Sequence, residues 1–281
     1  MSLVLTIWFI LLIISFIFVL FDSFFRVPIS WVQALAWSIV TLYAGVIALI
    51  FYLITCRKRG VKAHDEYIKP IYKQAFNSQM HCIAGDATGV IIASIILAGF
   101  SVTNGLELVI EYVLGFICGL FIFQALMMLP MYNYQYLQAV KKTLFAETVS
   151  MNFVMMGMFL IMLILTEIWP QSMNPLSLYF WFKMDMAVVV SMLTAYPINY
   201  YLVKRKLKHG CMTSYGAKED HTMMASDHNH HQNDHHAQLE GHNHHQVGHI
   251  SLIKQFTWIV ATFIILIVEL WIINLFIPVN F

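Results

Sequence analysis

The stretch Leu3 to Phe21, LVLTIWFILLIISFIFVLF, decides the fold class. It is apolar on every face, and its length meets the roughly 20 residues needed to cross a hydrocarbon core of about 30 Å. No Lys/Arg region precedes it and no small-residue cleavage pattern comes before Asp22. It therefore reads as a retained membrane helix rather than a signal peptide.

Further apolar runs follow at Trp31 to Thr55, His81 to Phe100, Leu106 to Met131, Leu144 to Trp169, Ser177 to Val203 and Ser251 to Ile277. None alternates like a barrel strand, and backbone groups in hydrocarbon must pair within their own segment. The expected fold is all-α, a polytopic membrane protein with a bundle of about seven transmembrane helices. Over the 281 residues, 59% are hydrophobic and 11% charged, against a soluble average of about 25% charged. The formal net charge of +1 offers nothing to a nucleic acid. The expected surroundings are the lipid bilayer, with a membrane protein partner or a homo-oligomer in it.

Basic residues set the orientation. Arg57, Lys58, Arg59, Lys62, Lys69 and Lys73 follow span two, Lys141 and Lys142 follow span four, and Lys204, Arg205, Lys206 and Lys208 follow span six. Seven straight crossings then put the N-terminus in the cytoplasm, the C-terminus outside, and Arg26 and Lys183 on the outer half. The organisation expected is two N-terminal helices (1–59), a cytoplasmic amphipathic linker (60–79), a four-helix core (80–207), a disordered cytoplasmic loop (208–250) and a last helix (251–281). The membrane is a cell inner (plasma) membrane. Cys56, Cys82 and Cys211 fall at or beyond inner helix ends and Cys118 within span four, so no disulfide is expected.

Residues 221–249 of the loop hold ten of the 13 histidines. His228, His230 and His231 repeat as His242, His244 and His245 in two copies of His-Asn-His-His, with His235 and His236 between them. Imidazole is a ligand for Zn, Cu and Ni, and a polar chain can wrap several around one ion. Metal binding is expected, although no one geometry, hence no one metal, is implied.

Charges inside spans are costly and mark candidate sites. Cys82, Asp86 and Gly89 share one face of span three, with His81 beside them, so His81, Cys82 and Asp86 form a candidate metal site at the inner mouth. Gly85 and Gly89 of span three and Gly115 and Gly119 of span four are small-xxx-small pairs that permit close approach. In span five Glu147, Met151, Met155, Met158 and Met162 form one stripe, a path for a soft ion or adaptable packing. In span six Asp185, Tyr196 and Asn199 make a polar stripe facing the bundle. Lys183 points away from it, with Glu107, Glu111 or Glu269 as candidate counter-charges. Pro197 lies within that helix.

No P-loop, G-x-G-x-x-G, H-E-x-x-H, paired C-x-x-C or G-x-S-x-G is present, so neither an enzyme nor an organic cofactor is expected. The run Met80 to Gly89, with Phe180-Trp181-Phe182-Lys183-Met184-Asp185-Met186 and Tyr196-Pro197-Ile198-Asn199, resembles a bacterial membrane family of unknown function, domain of unknown function 4396, over roughly 79–207. The resemblance implies a compact helical core and adds weight to His81, Cys82, Asp185 and Asn199, and it implies no activity. The function expected is handling of a copper- or zinc-class ion, as a transporter. The alternative is a non-transporting sensor or assembly partner whose His-rich loop binds metal or responds to pH.

Overall fold

A computed structural model describes residues 2–210 and 250–280. Among them every regular element is helical. Seven helices are long and apolar enough to cross a membrane: Leu3–Phe25, Trp31–Thr55, Ile71–Leu97, Asn104–Tyr132, Tyr136–Ile168, Leu178–Lys204 and Leu252–Asn274. They belong to α1 (Ser2–Phe25), α2 (Trp31–Thr55), α4 (Ile71–Leu97), α5 with its continuation, α7 (Tyr136–Ile168), α8 (Leu178–Lys204) and α9 (Leu252–Asn274). α3 (Val61–Ile68) is the short amphipathic piece expected between spans two and three, with His64 and Ile68 buried. α4 and α7 begin about two to three turns earlier than their apolar runs, because helix geometry continues through polar residues that hydropathy does not register.

The second helix is not straight. Gly45 has φ 52° and ψ −131°, which a side chain disfavours and glycine adopts freely. A continuous helix would hold Trp37 and Tyr52 about 22 Å apart. Their ring centroids are 5.4 Å apart. Both ends of α2 also meet one residue of α4. Gln33 Nε2 donates to Asn77 O at 3.2 Å, Trp37 Nε1 donates to Asn77 Oδ1 at 3.0 Å, and Asn77 Nδ2 donates to Thr55 O at 3.0 Å. Tyr43, at the tip, reaches Thr88 at 3.2 Å. α2 is thus a hairpin of two half-helices that enters and leaves at the end where α4 begins. Ala44 and Gly45 are buried, as irregular backbone at membrane depth must be.

This reverses α1. Asp22, near its C-terminus, accepts from Tyr52 at 3.1 Å and from Arg57 at 2.8 Å. At its other end Trp8 Nε1 donates to Asp185 Oδ2 at 2.8 Å, near the start of α8. The end of α8 meets the start of α4, where Ser78 Oγ donates to His209 O at 2.6 Å. Two expectations are therefore corrected. The start of α1 lies opposite the end from which the His-rich segment leaves, and Arg26 lies with the other basic residues, beside Asp22. A folded-back α2 adds two passes that cancel, which hydropathy counts as one crossing.

α4 packs closely against the fourth span. A Cβ at Gly85 would stand 2.5 Å from Gly119 Cα, and one at Gly89 would stand 2.6 Å from Gly115 Cα. The two small-xxx-small pairs do face each other, and only hydrogen at these positions lets the backbones meet. α5 (Asn104–Ile117) then widens into a π-helical segment (Cys118–Gln124) before α6 (Ala125–Met128). Such a turn accommodates one extra residue per hydrogen-bonded ring.

Candidate functional site

At the end of the core where α4 begins and α8 ends, four elements converge on a buried polar cluster. α4 supplies His81, Cys82 and Asp86, the π-helical segment supplies Gly119 and Gln124, α7 supplies Glu147 and Ser150, and α8 supplies Asn199. Into it comes Lys208, from the chain just beyond α8. The Cys82 thiol donates to Glu147 Oε2 at 2.9 Å and stands 3.7 Å from Gln124 Oε1. Lys208 Nζ donates to Asn199 Oδ1 at 2.7 Å and to Cys82 Sγ at 2.9 Å, and lies 3.8 Å from Glu147 Oε2. The side chains of Lys208 and Glu147 are both 0% exposed. Ser150 Oγ donates to Asn199 Oδ1 at 3.1 Å, and His81 lies against Gln124 with Lys208 nearby.

Burial works against the Lys208 charge, yet Cys82, Glu147 and Asp86 around it hold its ammonium above the ordinary lysine range. Lys208 thus supplies the positive charge of the cluster. Asp86 has no hydrogen-bond partner on either oxygen among the described residues, nor has Glu147 on Oε1. Gly119 explains how two carboxylates fit there: a Cβ on it would collide with Asp86 Oδ1 and lie 3.0 Å from Glu147 Oε1. Among the described residues no three His, Cys, Asp or Glu side chains form a ready metal-holding group. Of the expected inner-mouth trio Cys82 contacts Lys208 directly, and His81 and Asp86 lie near the same ammonium.

From Glu147 the methionine stripe rises along α7. Met151, Met155 and Met158 are fully buried and Met162 nearly so. Gly115 makes room for them: a Cβ there would lie 2.7 Å from Met155 Cε and 3.2 Å from Met151 Cε. At the top, Met162 lines a cavity of about 180 Å³ with Ser94, Glu107, Glu111, Thr166 and Lys183. Lys183 Nζ donates to Thr166 Oγ1 at 3.3 Å. Of its three candidate counter-charges, Glu107 and Glu111 face it across this cavity while Glu269 does not line it.

The span-six stripe divides. Asn199 belongs to the inner cluster. Tyr196 instead packs on Phe76 and Tyr200, with centroids 5.8 and 6.2 Å away. Asp185 turns to α1, where Trp8 holds it and packs edge-on against Phe182. Lys183, about 200° round the helix from Asp185, is the residue that meets α7. Asp185 and Tyr196 therefore do not line the methionine stripe. α8 twists past three different neighbours, so one face in projection is not one environment.

His228, His230, His231, His235, His236, His242, His244, His245 and Cys211 lie outside the described residues. Three members of the inner cluster carried no mark in the sequence as site residues: Gln124, Ser150 and Lys208. Gln124 had one available signal, a polar amide in an apolar span close behind Gly119. Lys208 looked like one more basic residue after a span.

Residues 71–208 match the family model described as domain of unknown function (DUF4396). The matched segment runs from the start of α4 to Lys208, so every side chain of the inner cluster and the whole methionine stripe fall inside it. No curated protein and no solved structure matches.

Proposed function

We propose that this DUF4396-bearing membrane protein moves a transition-metal cation of the copper or zinc class across the bilayer, with the His-rich segment as its cytoplasmic metal collector. One observation carries the reading. A buried thioether stripe, Met151 to Met162, joins a carboxylate-thiol-imidazole cluster at one end to a carboxylate-lined cavity at the other. Thioether and thiolate donors favour Cu(I), and imidazole suits Cu and Zn. Such donors along one helix face supply successive weak sites, and an ion passes when each holds it no tighter than the next.

Among the described residues all Lys and Arg except Lys183 gather at the end holding Lys208, Arg57 and Arg26. By the positive-inside tendency that end is cytoplasmic, in a cell inner (plasma) membrane. With α2 folded back, the outer ends of α1 and α9 then share the outside. Lys208 gives the inner cluster a closed form. Entry of a metal cation requires the ammonium to withdraw, since both cannot stand beside Cys82 and Glu147.

Metal flux into proteoliposomes tests this. The His81→Ala/Asp86→Ala protein should lose flux of Cu(I) and Zn(II) while remaining folded, and unchanged flux would remove the cluster from the path. A second reading, a non-transporting sensor or assembly partner, is favoured by the direct Lys208 contacts that already fill the cluster. It is the one to keep if the wild-type protein binds metal but passes none.

A further inference from the structure

The outer cavity, like the inner cluster, sets carboxylates against one lysine, in a different arrangement. Asp86, Glu147 and Lys208 meet inside, and Glu107, Glu111 and Lys183 outside, where the exposed Glu167 also lines the cavity. Inside, the ammonium is drawn in among its partners, 2.7 to 3.8 Å from Asn199, Cys82 and Glu147. Outside, Lys183 donates to Thr166, and it lines with the carboxylates a cavity of about 180 Å³. A bulk water occupies about 30 Å³, so this volume takes an ion with a few waters.

Glu111 is 0% exposed and lines the cavity. Ser94 Oγ donates to its Oε1. Its Oε2 has no hydrogen-bond partner among the described residues. A buried carboxylate oxygen left open toward a cavity is costly unless something cationic or protic completes it. With Glu107 and Glu111 ionised, these two carboxylates and the Lys183 ammonium lack one positive charge, while Glu167, which also lines the cavity, is exposed to solvent. Met162, the last thioether of the stripe, lines the same space.

We propose that the outer cavity is a second binding station for a soft monovalent cation, held by Glu111 and Glu107 as counter-charge and by Met162 as the soft donor. The proposal rests on the transport reading above and adds where the ion pauses before or after the methionine stripe. A hard ion would gain nothing from the thioether. Lys183 acts as the internal competitor, as Lys208 does at the inner end.

The test is local to Glu111. The full-length protein in detergent is treated with a hydrophobic carbodiimide, and modification of Glu111 is followed by peptide mass spectrometry, with Ag(I) as a redox-inert soft probe and K⁺ as the hard control. At Ag(I) ten times its dissociation constant, labelling should slow about tenfold, with K⁺ inert. Protection should largely vanish in Met162→Leu and in Glu107→Gln. Two variants guard against the loss of one to misfolding. No protection, equal protection by K⁺, or undiminished protection in both variants overturns the station. Protection at Glu111 in a protein that passes no metal keeps the station and overturns transport. Flux without protection overturns the station alone.

Discussion

The inner cluster and the outer cavity each set carboxylates against one lysine and reach opposite solutions. At the inner end Lys208 arrives from a segment beyond the last turn of α8, so its position is not tied to helix periodicity and its ammonium settles 2.7 to 3.8 Å from three partners. At the outer end Lys183 is part of α8, and Thr166 of α7 restrains it. A lysine on a loop neutralises acids by contact, whereas a lysine fixed on a helix leaves them facing an open space. Carboxylates in the first setting are structural while the lysine stays, and those in the second are available to a ligand.

Replacing Lys208 is the harshest way to break this contrast. Lys208→Met strands Glu147 and Asp86 in a dry interior, and removing one partner of a buried pair costs about 3–5 kcal/mol. The melting temperature in detergent should fall sharply, and the Lys208→Met/Glu147→Gln double variant should recover a good part of the loss. Lys183→Met, whose ammonium closes no ion pair with the acids it faces, should cost less than about 1 kcal/mol. Equal losses for the two lysines would erase the distinction between them.

Next in size is Gly45→Ala. A side chain there must adopt φ 52° and lies 3.3 Å from Leu12 Cβ, and a strained backbone of this kind costs about 1–3 kcal/mol. The fold-back has its own check. With a membrane-impermeant thiol reagent, Leu3→Cys and Arg26→Cys should label from opposite faces, and Arg26→Cys and Arg59→Cys from the same face. Labelling of Arg26→Cys and Arg59→Cys from opposite faces would restore a straight second crossing.

A smaller effect is expected at Glu111. Glu111→Gln removes a buried acid that no ammonium touches, and stability should stay within about 1 kcal/mol of wild type or rise slightly. The smallest is a pH response. Lys208 is held above its ordinary range, so its contribution is fully present below the unfolded lysine value and is lost only as pH rises through the higher folded one. Between about pH 6 and about pH 9 the difference in melting temperature between wild type and Lys208→Met should hence stay flat. A difference that shrinks on raising pH within that window would mean the ammonium is not stabilised as its neighbours require.

Much of this was legible in the sequence for specific reasons. Gly85, Gly89, Gly115 and Gly119 face each other because spacing of four on a helix is a local property, and small residues in lipid have few other uses. Glu147 to Met162 share a buried face for the same reason. His81, Cys82 and Asp86 are near neighbours on α4, so their grouping needed no tertiary information. Asp185 and Tyr196 departed from their expected place because a stripe defined on one helix says nothing about which neighbour lies over each turn of it.

The sequence by itself determined that this is a helical membrane protein, where its apolar segments lie, which residues share a helix face, and that its basic residues are unevenly distributed. These follow from solvation and from a 3.6-residue repeat, both read along a single segment. The tertiary structure alone decided that α2 turns back at Gly45, that α1 therefore points the other way, that Lys208 closes the inner cluster, and that Lys183 leaves the outer cavity open. A hairpin and a straight helix of equal length have the same hydropathy. Where a long side chain comes to rest depends on charges distant in sequence that only the packed bundle brings within a few ångströms.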